Sequence, residues 1–309
     1  MADFTTGEET PLIHSRFLAV CAALVTGACA TVSPNLPAVT EAPASLRQEG
    51  RIIWHDLLTT TPAESRKFYG ELFGWEFERP PNSIGFGNDD SYLLIRHEGR
   101  LIGGMLDANI LDRETNVSQW ISVMSVGDIE AAVQRVTANG GEVLTAPTDV
   151  GSRGWMAVVA GPDKAIIALL QTRLGDPGKV EPAVNEWLWD ELWTNDVAGA
   201  ASFYTKVAGL EAEAPVLDGV DPAYRVLKFG DTPRAGIMPN PFEGELPVWV
   251  NYIRVEDPAA ITAQVPALGG TVIVDAQPRS TGGEAALIAG PSGAGVALQT
   301  WPVKQEEQQ

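Results

Sequence analysis

Between residues 51 and 58 the chain alternates apolar and polar positions as a half-buried strand does, and between 63 and 73 its apolar positions fall at helical spacing. Three short strand-like runs follow near 76–86, 92–97 and 101–106. The pattern then restarts with a strand over 119–126, a helix over 129–139 closed by Gly140, and strands near 142–145, 155–160 and 165–171. One strand, one helix and three strands, performed twice, predict an α+β domain over 51–174.

The same unit returns over 186–303. Trp54, Leu57, Thr59, Phe68, Tyr69 and Gly74 recur 135 positions later as Trp189, Leu192, Thr194, Phe203, Tyr204 and Gly209. Gly103 and Met105 match Gly236 and Met238 at a spacing of 133. Trp120, Val126, Asp128, Gly140, Gly141, Gly161, Pro162 and Ala168 then match Trp249, Val255, Asp257, Gly269, Gly270, Gly290, Pro291 and Ala297 at a spacing of 129. Both changes of spacing fall in segments that read as loops, as a duplicated fold requires. Residues 175–185 are then a linker and 304–309 a tail.

An apolar fraction of 45% supports folded cores throughout both copies. Lys and Arg number 21 against 40 Asp and Glu, a net charge of −19, which repels phosphate backbones and sets nucleic acid aside as a partner. The acids are spread along both copies, so their first reading is a solvated surface, and a neutral or cationic small molecule remains compatible with them.

Cys21 and Cys29 both lie in the apolar stretch from Phe17 to Ala30, which is too short to span a bilayer comfortably and is right for the core of an export signal. Val25, Thr26, Gly27, Ala28 and Cys29 resemble a bacterial lipobox, in which the cysteine thiol receives a lipid. That resemblance implies a signal peptide over 1–28 and lipidation of Cys29. An ordinary cleaved signal or an uncleaved anchor are the alternatives. Residues 29–50, rich in Pro, Ala, Ser and Thr and without periodicity, read as a flexible tether. Ala30 after the cysteine suits the periplasmic face of the outer membrane.

The element order, the aromatic pair in the first helix of each copy, the Gly-Gly pair that closes the second helix and the Gly-Pro pair before the last strand together resemble the vicinal oxygen chelate superfamily. That group includes glyoxalase I, bleomycin-resistance proteins and extradiol dioxygenases. The resemblance covers 51–302 and implies two tandem glyoxalase-like domains, each of two βαβββ modules forming a partly open barrel whose inner face, a cup, holds a ligand. Catalytic members hold a divalent metal there, with a histidine from the first strand and a glutamate from the last.

In this chain those positions are Trp54 and Ala168 in the first copy and Trp189 and Ala297 in the second, none of which ligates a metal. The expectation is therefore no cofactor. His55 adjoins the ligand position, but strand alternation turns it to the opposite face from Trp54, and only a one-residue slip would make it a ligand. His97 reads as a strand-end surface residue.

Asp56 shares a face with Trp54 and Leu58, and Glu191 shares one with Trp189 and Trp193. Trp120 and Trp249, with Tyr252, are expected to join them on the matching strand of the second module. Aromatic faces with one acid suit an apolar or cationic small molecule. A carboxylate lodged among aromatics is also a candidate general base. The readings carried forward are a metal-free binding protein, a glyoxalase-type lyase or isomerase using Asp56 or Glu191, and sequestration of a cationic compound as bleomycin-resistance proteins do. Plain core packing is the bland reading for each tryptophan, and backbone hydrogen bonding for each acid. Four modules in one chain are compatible with a monomer or a homodimer.

Overall fold

The computed structural model describes residues 35–81, 91–111, 116–215, 219–280 and 282–301, so the export signal, Cys29 and the lipidation reading lie outside the described residues. The first domain runs β1 (Ile52–Thr59), α1 (Pro62–Phe73), β2 (Glu76–Glu78), β3 (Tyr92–His97), β4 (Arg100–Asp107), β5 (Gln119–Ser125), α2 (Ile129–Ala138), β6 (Glu142–Asp149), β7 (Gly154–Ala160) and β8 (Ile166–Thr172). The second repeats it as β9 (Trp187–Thr194), α3 (Val197–Ala208), β10 (Glu211–Glu213), β11 (Arg225–Phe229), β12 (Thr232–Pro239), β13 (Val248–Arg254), α4 (Pro258–Thr262), β14 (Thr271–Pro278), β15 (Glu284–Ala289) and β16 (Gly295–Gln299).

Each domain is one open eight-stranded sheet, in the order β2-β3-β4-β1-β5-β8-β7-β6 and β10-β11-β12-β9-β13-β16-β15-β14. The two modules of a domain meet where their first strands pair antiparallel, β1 with β5 and β9 with β13. Within each module the first strand lies parallel to the last, β1 to β4 and β5 to β8, because the helix carries the chain across between them.

Local chemistry fixes where the helices begin and end. Pro62 opens α1 and Gly74, in the left-handed conformation at φ 70°, closes it. Asp128, Asp196 and Asp257 cap α2, α3 and α4 by accepting from the backbone N–H groups of Ala131, Gly199 and Ala260. The recurrence of Asp128 and Asp257 in the repeat thus has a structural cause.

The helix-bearing faces of the two sheets pack on each other. One shared layer joins α2 and β8 residues to Phe203, Tyr204, Leu227 and Trp249 of the second domain, and the other joins Phe68, Tyr69, Leu93 and Trp120 to Ile253, Ile288 and Val296. These layers are related by the internal repeat, and they leave the opposite face of each sheet, the cup face, turned away from the domain interface.

Residues 35–50 are a departure from the expected flexible tether. The Leu36 N–H donates to the Val150 carbonyl at 2.9 Å and the Ala44 N–H to the Leu174 carbonyl at 2.6 Å. Leu36 and Val39 are buried in the first cup. The composition reads as a tether because it lacks periodicity, but docking here depends on two apolar side chains finding an apolar cup, which local pattern does not report.

Candidate functional site

The cup faces are built by strand parity. In β1, Trp54, Asp56 and Leu58 point into the first cup while His55 and Leu57 point away, and in β9, Trp189, Glu191 and Trp193 point into the second while Asp190 and Leu192 point away.

In the first cup every carboxylate oxygen of Asp56 is engaged. Its Oδ1 accepts from Trp54 Nε1 at 2.8 Å and from the Tyr92 hydroxyl at 2.6 Å. Its Oδ2 accepts from Arg153 Nη1 at 2.9 Å. Arg153 is fully enclosed, its guanidinium carbon lying 4.9 Å from the Trp54 ring centroid and 5.3 Å from that of Tyr92. A second arm of the same guanidinium donates to the Tyr92 hydroxyl, and its Nε donates to the Pro37 carbonyl at 3.0 Å. Burial works against the Arg153 charge, but Tyr92 and Asp56 outweigh it and raise its pKa. Leu36 and Val39 close the cup over Leu58, Ile121, Val123 and Met156. What remains is a cavity of about 20 Å³ beside Asp56 and Ala168, room for about one water.

The second cup holds the same carboxylate differently. Glu191 Oε1 accepts from the Tyr224 hydroxyl at 2.7 Å and Oε2 from the Tyr252 hydroxyl at 2.6 Å, while Trp189 Nε1 donates to the Tyr224 oxygen at 3.3 Å. Burial first, and then the Glu191 charge, push both tyrosines well above their usual pKa, so they stay protonated and donate. Arg279, half-buried on this side, has an Nε without a hydrogen-bond partner among the described residues.

Nothing from residues 35–50 enters this cup, and Leu188, Trp189, Val226, Phe242, Val248 and Ile273 along it are only partly buried. Trp193, with 2% exposure, lies at its base beside Phe242, ring centroids 6.0 Å apart.

The structure corrects several expectations. Trp120 and Trp249 do not line the cups. In the antiparallel register they stand opposite Leu57 and Leu192, on the helix-bearing face, and their Nε1 atoms donate to the Tyr69 and Tyr204 hydroxyls, each at 3.0 Å. Tyr252, two residues on from Val250 and on the same face of β13, does face the cup.

His55 does not face a cup: it sits at the domain interface with Nε2 2.8 Å from Asp190 Oδ1 and its ring stacked on Trp187 at 4.2 Å. Asn251 completes that buried junction by donating to Asp190 and to Ser122, its own counterpart in the repeat. His97 is buried rather than superficial, its Nδ1 3.2 Å from Glu186 Oε1.

Two further site groups were hidden from the sequence. Asp56 faces Gly104 across the parallel ladder and Glu191 faces Gly236, so the true partner of Gly236 is Gly104, at a spacing of 132, and not Gly103. That one-residue slip conceals Tyr92 and Tyr224, which share the spacing of 132. A Cβ on Gly104 would collide with the Tyr92 hydroxyl and on Gly236 with that of Tyr224, so the missing side chain is what lets each tyrosine reach its acid. Arg153 has no equivalent in the strict repeat, where residue 282 is glycine, and so nothing in the duplication marked it.

A divalent ion needs several converging oxygen, nitrogen or sulfur donors. Each cup offers one carboxylate whose oxygens are already bonded, with Ala168 or Ala297 where a second acid would stand. Among the described residues no group of three His, Cys, Asp or Glu converges. The donor set of neither cup fits such an ion.

Comparison with known proteins agrees with this architecture. Residues 51–169 match the family model of the glyoxalase/bleomycin resistance protein/dioxygenase superfamily. CFP32 of Mycobacterium tuberculosis, which carries a glyoxylase name, is 30% identical over 248 residues, covering 80% of this chain and 93% of its own. The anthracycline biosynthesis protein DnrV of Streptomyces peucetius is 29% identical over 263 residues, covering 81% and 92%. Among solved structures, the Mn(II)-bound glyoxalase of Novosphingobium aromaticivorans superposes with a TM-score of 0.55 at 14% identity, covering 82% of this chain and 83% of that one.

Proposed function

This chain belongs to the glyoxalase/bleomycin resistance protein/dioxygenase superfamily, and from that premise we propose that it binds a small organic molecule in the second cup without a divalent metal. The observation that carries this reading is the contrast in occupancy: Arg153, Leu36 and Val39 fill the first cup, whereas in the second Trp189, Val226, Phe242 and Val248 stay partly exposed above the buried Tyr224 and Glu191. Partly exposed aromatic and aliphatic walls supply apolar contact, and the Glu191 field favours a neutral or cationic group over an anion. The two Streptomyces relatives named for anthracycline biosynthesis suggest a polycyclic amine as the first probe.

Fluorescence titration with an anthracycline tests the reading. Saturable binding that Trp189→Ala weakens by about 2 kcal/mol or more is the expected result, in line with loss of a buried aromatic contact. A stoichiometric divalent ion in the purified protein, or binding indifferent to Trp189→Ala, would count against it.

A second reading, a glyoxalase-type lyase or isomerase, draws support from the relatives with glyoxylase names. In it Glu191 is the base, since Asp56 is held in an ion pair by Arg153. Turnover of a compound bound in the second cup that Glu191→Gln abolishes would favour the enzyme.

From the lipobox resemblance of residues 25–29 we further propose that the protein lies in the bacterial envelope, anchored through a lipid on Cys29. Incorporation of labelled fatty acid that disappears in Cys29→Ser supports that placement. Because the helix-bearing faces of the two domains cover each other within one chain, a monomer is the simplest assembly.

A further inference from the structure

We infer that residues 35–47 are a tethered occupant of the first cup, and that their release opens a second binding site for an apolar molecule carrying a carbonyl or carboxylate oxygen. This goes beyond the reading of the second cup and does not need that cup to bind anything.

The segment is held at both ends and, between them, by the Ala44 N–H on the Leu174 carbonyl and by the Glu41–Arg96 ion pair at 2.5 Å. Leu36 and Arg153 exchange backbone contacts around Val150, with Leu36 N–H to Val150 O at 2.9 Å and Arg153 N–H to Leu36 O at 3.1 Å. At the other end Arg47 Nη1 donates to the Thr172 carbonyl at 2.6 Å, and the Gln48 N–H donates to Asp176. The segment belongs to no strand of the sheet, whose eight members are complete without it. It can therefore leave without breaking a ladder.

What it presents to the cup is the chemistry of a ligand. Leu36 and Val39, three residues apart, supply the apolar contact, and the Pro37 carbonyl between them accepts from Arg153 Nε. Pro37 and Pro43 restrict the free segment and so reduce the ordering cost of docking it.

With the segment gone, Arg153 keeps its pairing with Asp56 through its other arms, and its Nε–H is left aimed into an apolar cup walled by Leu58, Leu106, Ile121 and Met156. A buried donor without a partner costs about 1–3 kcal/mol. An incoming oxygen on an aliphatic body relieves that cost, as the Pro37 carbonyl does. The first cup thus differs in taste from the second: it offers a donor, where the second offers an acid dressed by tyrosines.

The test uses the full chain with Leu36→Asp and Val39→Asp together, and a synthetic peptide of residues 35–47 as the probe, measured by calorimetry. The double variant is expected to bind one equivalent of peptide. The unaltered chain is expected to bind it at least about tenfold more weakly, because its own segment competes at an effective concentration on the order of millimolar. Adding Ala168→Phe to the double variant, which fills the cup, should abolish the binding. Equal binding by both chains, or none by a double variant with native near-ultraviolet dichroism, overturns the inference. Should the double variant fail to fold, hydrogen exchange on the unaltered chain decides. The Leu36 and Arg153 amides must exchange together through a local opening, well ahead of the amides of β1 and β5. Exchange of those two amides only on global unfolding overturns the inference equally.

Discussion

The two cups began as copies, and they now solve the same electrostatic problem in opposite ways. Each places one carboxylate on its first strand, beneath a tryptophan and a tyrosine and against a glycine. In the first cup the second carboxylate oxygen is met by Arg153, a cation brought in by the β6–β7 connection, and the chain's own residues 35–47 seal the site. In the second it is met by Tyr252, which stands where the first cup has Val123, and among the described residues no segment from outside the domain packs into it. A fully compensated ion pair serves structure, whereas a carboxylate dressed by neutral hydroxyls beneath partly exposed Trp189 and Phe242 is suited to an incoming molecule. Duplication lets the two copies diverge, one covered by the chain's own segment while the other keeps an open face.

The comparison breaks most sharply at Arg153. Arg153→Met leaves Asp56 buried without its cation and should cost about 3–5 kcal/mol by urea unfolding. Tyr252→Phe, the corresponding loss in the second cup, removes one hydrogen bond to a charged acceptor and should cost about 1.5–3 kcal/mol. A Tyr252→Phe effect as large as that of Arg153→Met would erase the asymmetry. Gly104→Ala and Gly236→Ala should each cost about 1–3 kcal/mol through overpacking against Tyr92 and Tyr224, and their similarity would confirm that this part of the design is common to both cups. Arg279→Met, at the rim of the second cup, should stay within about 0.5 kcal/mol, which distinguishes it from Arg153.

A pH titration sharpens what the cups share. All five tyrosines, Tyr69, Tyr92, Tyr204, Tyr224 and Tyr252, have raised pKa values, with burial the first cause in each. The unfolded chain releases these protons near pH ~10 while the folded chain retains them. The stability they contribute is therefore complete below about pH 10 and declines as pH rises above it. Tyrosinate absorbance should appear in a single step that coincides with unfolding, and a separate early step would show a tyrosine with access to water.

Much of this was legible in the sequence. The element order, the duplication and the pairing of Asp56 with Trp54 and of Glu191 with Trp189 follow from periodicity and strand parity alone. The same parity would have excluded Trp120 and Trp249, had the antiparallel register of β1 with β5 been known, because Leu57 and Trp120 share a face. Register is set by long-range pairing, which a linear pattern does not carry.

The tyrosine of each cup was lost to a one-residue slip between Gly103 and Gly104, adjacent glycines that alignment alone cannot rank. Arg153 and the docked residues 35–47 were invisible for a different reason. They belong to one copy only, so a method that trusts what is repeated discards them, and they proved to be what separates the cups.

Soaking crystals of the protein with a library of small organic fragments tests the division of labour most directly. The account predicts fragments clustered in the second cup against Trp189, Tyr224 and Phe242, with residues 35–47 undisturbed over the first. Fragments gathered beside Asp56 in the first cup, with the second left empty, would contradict it.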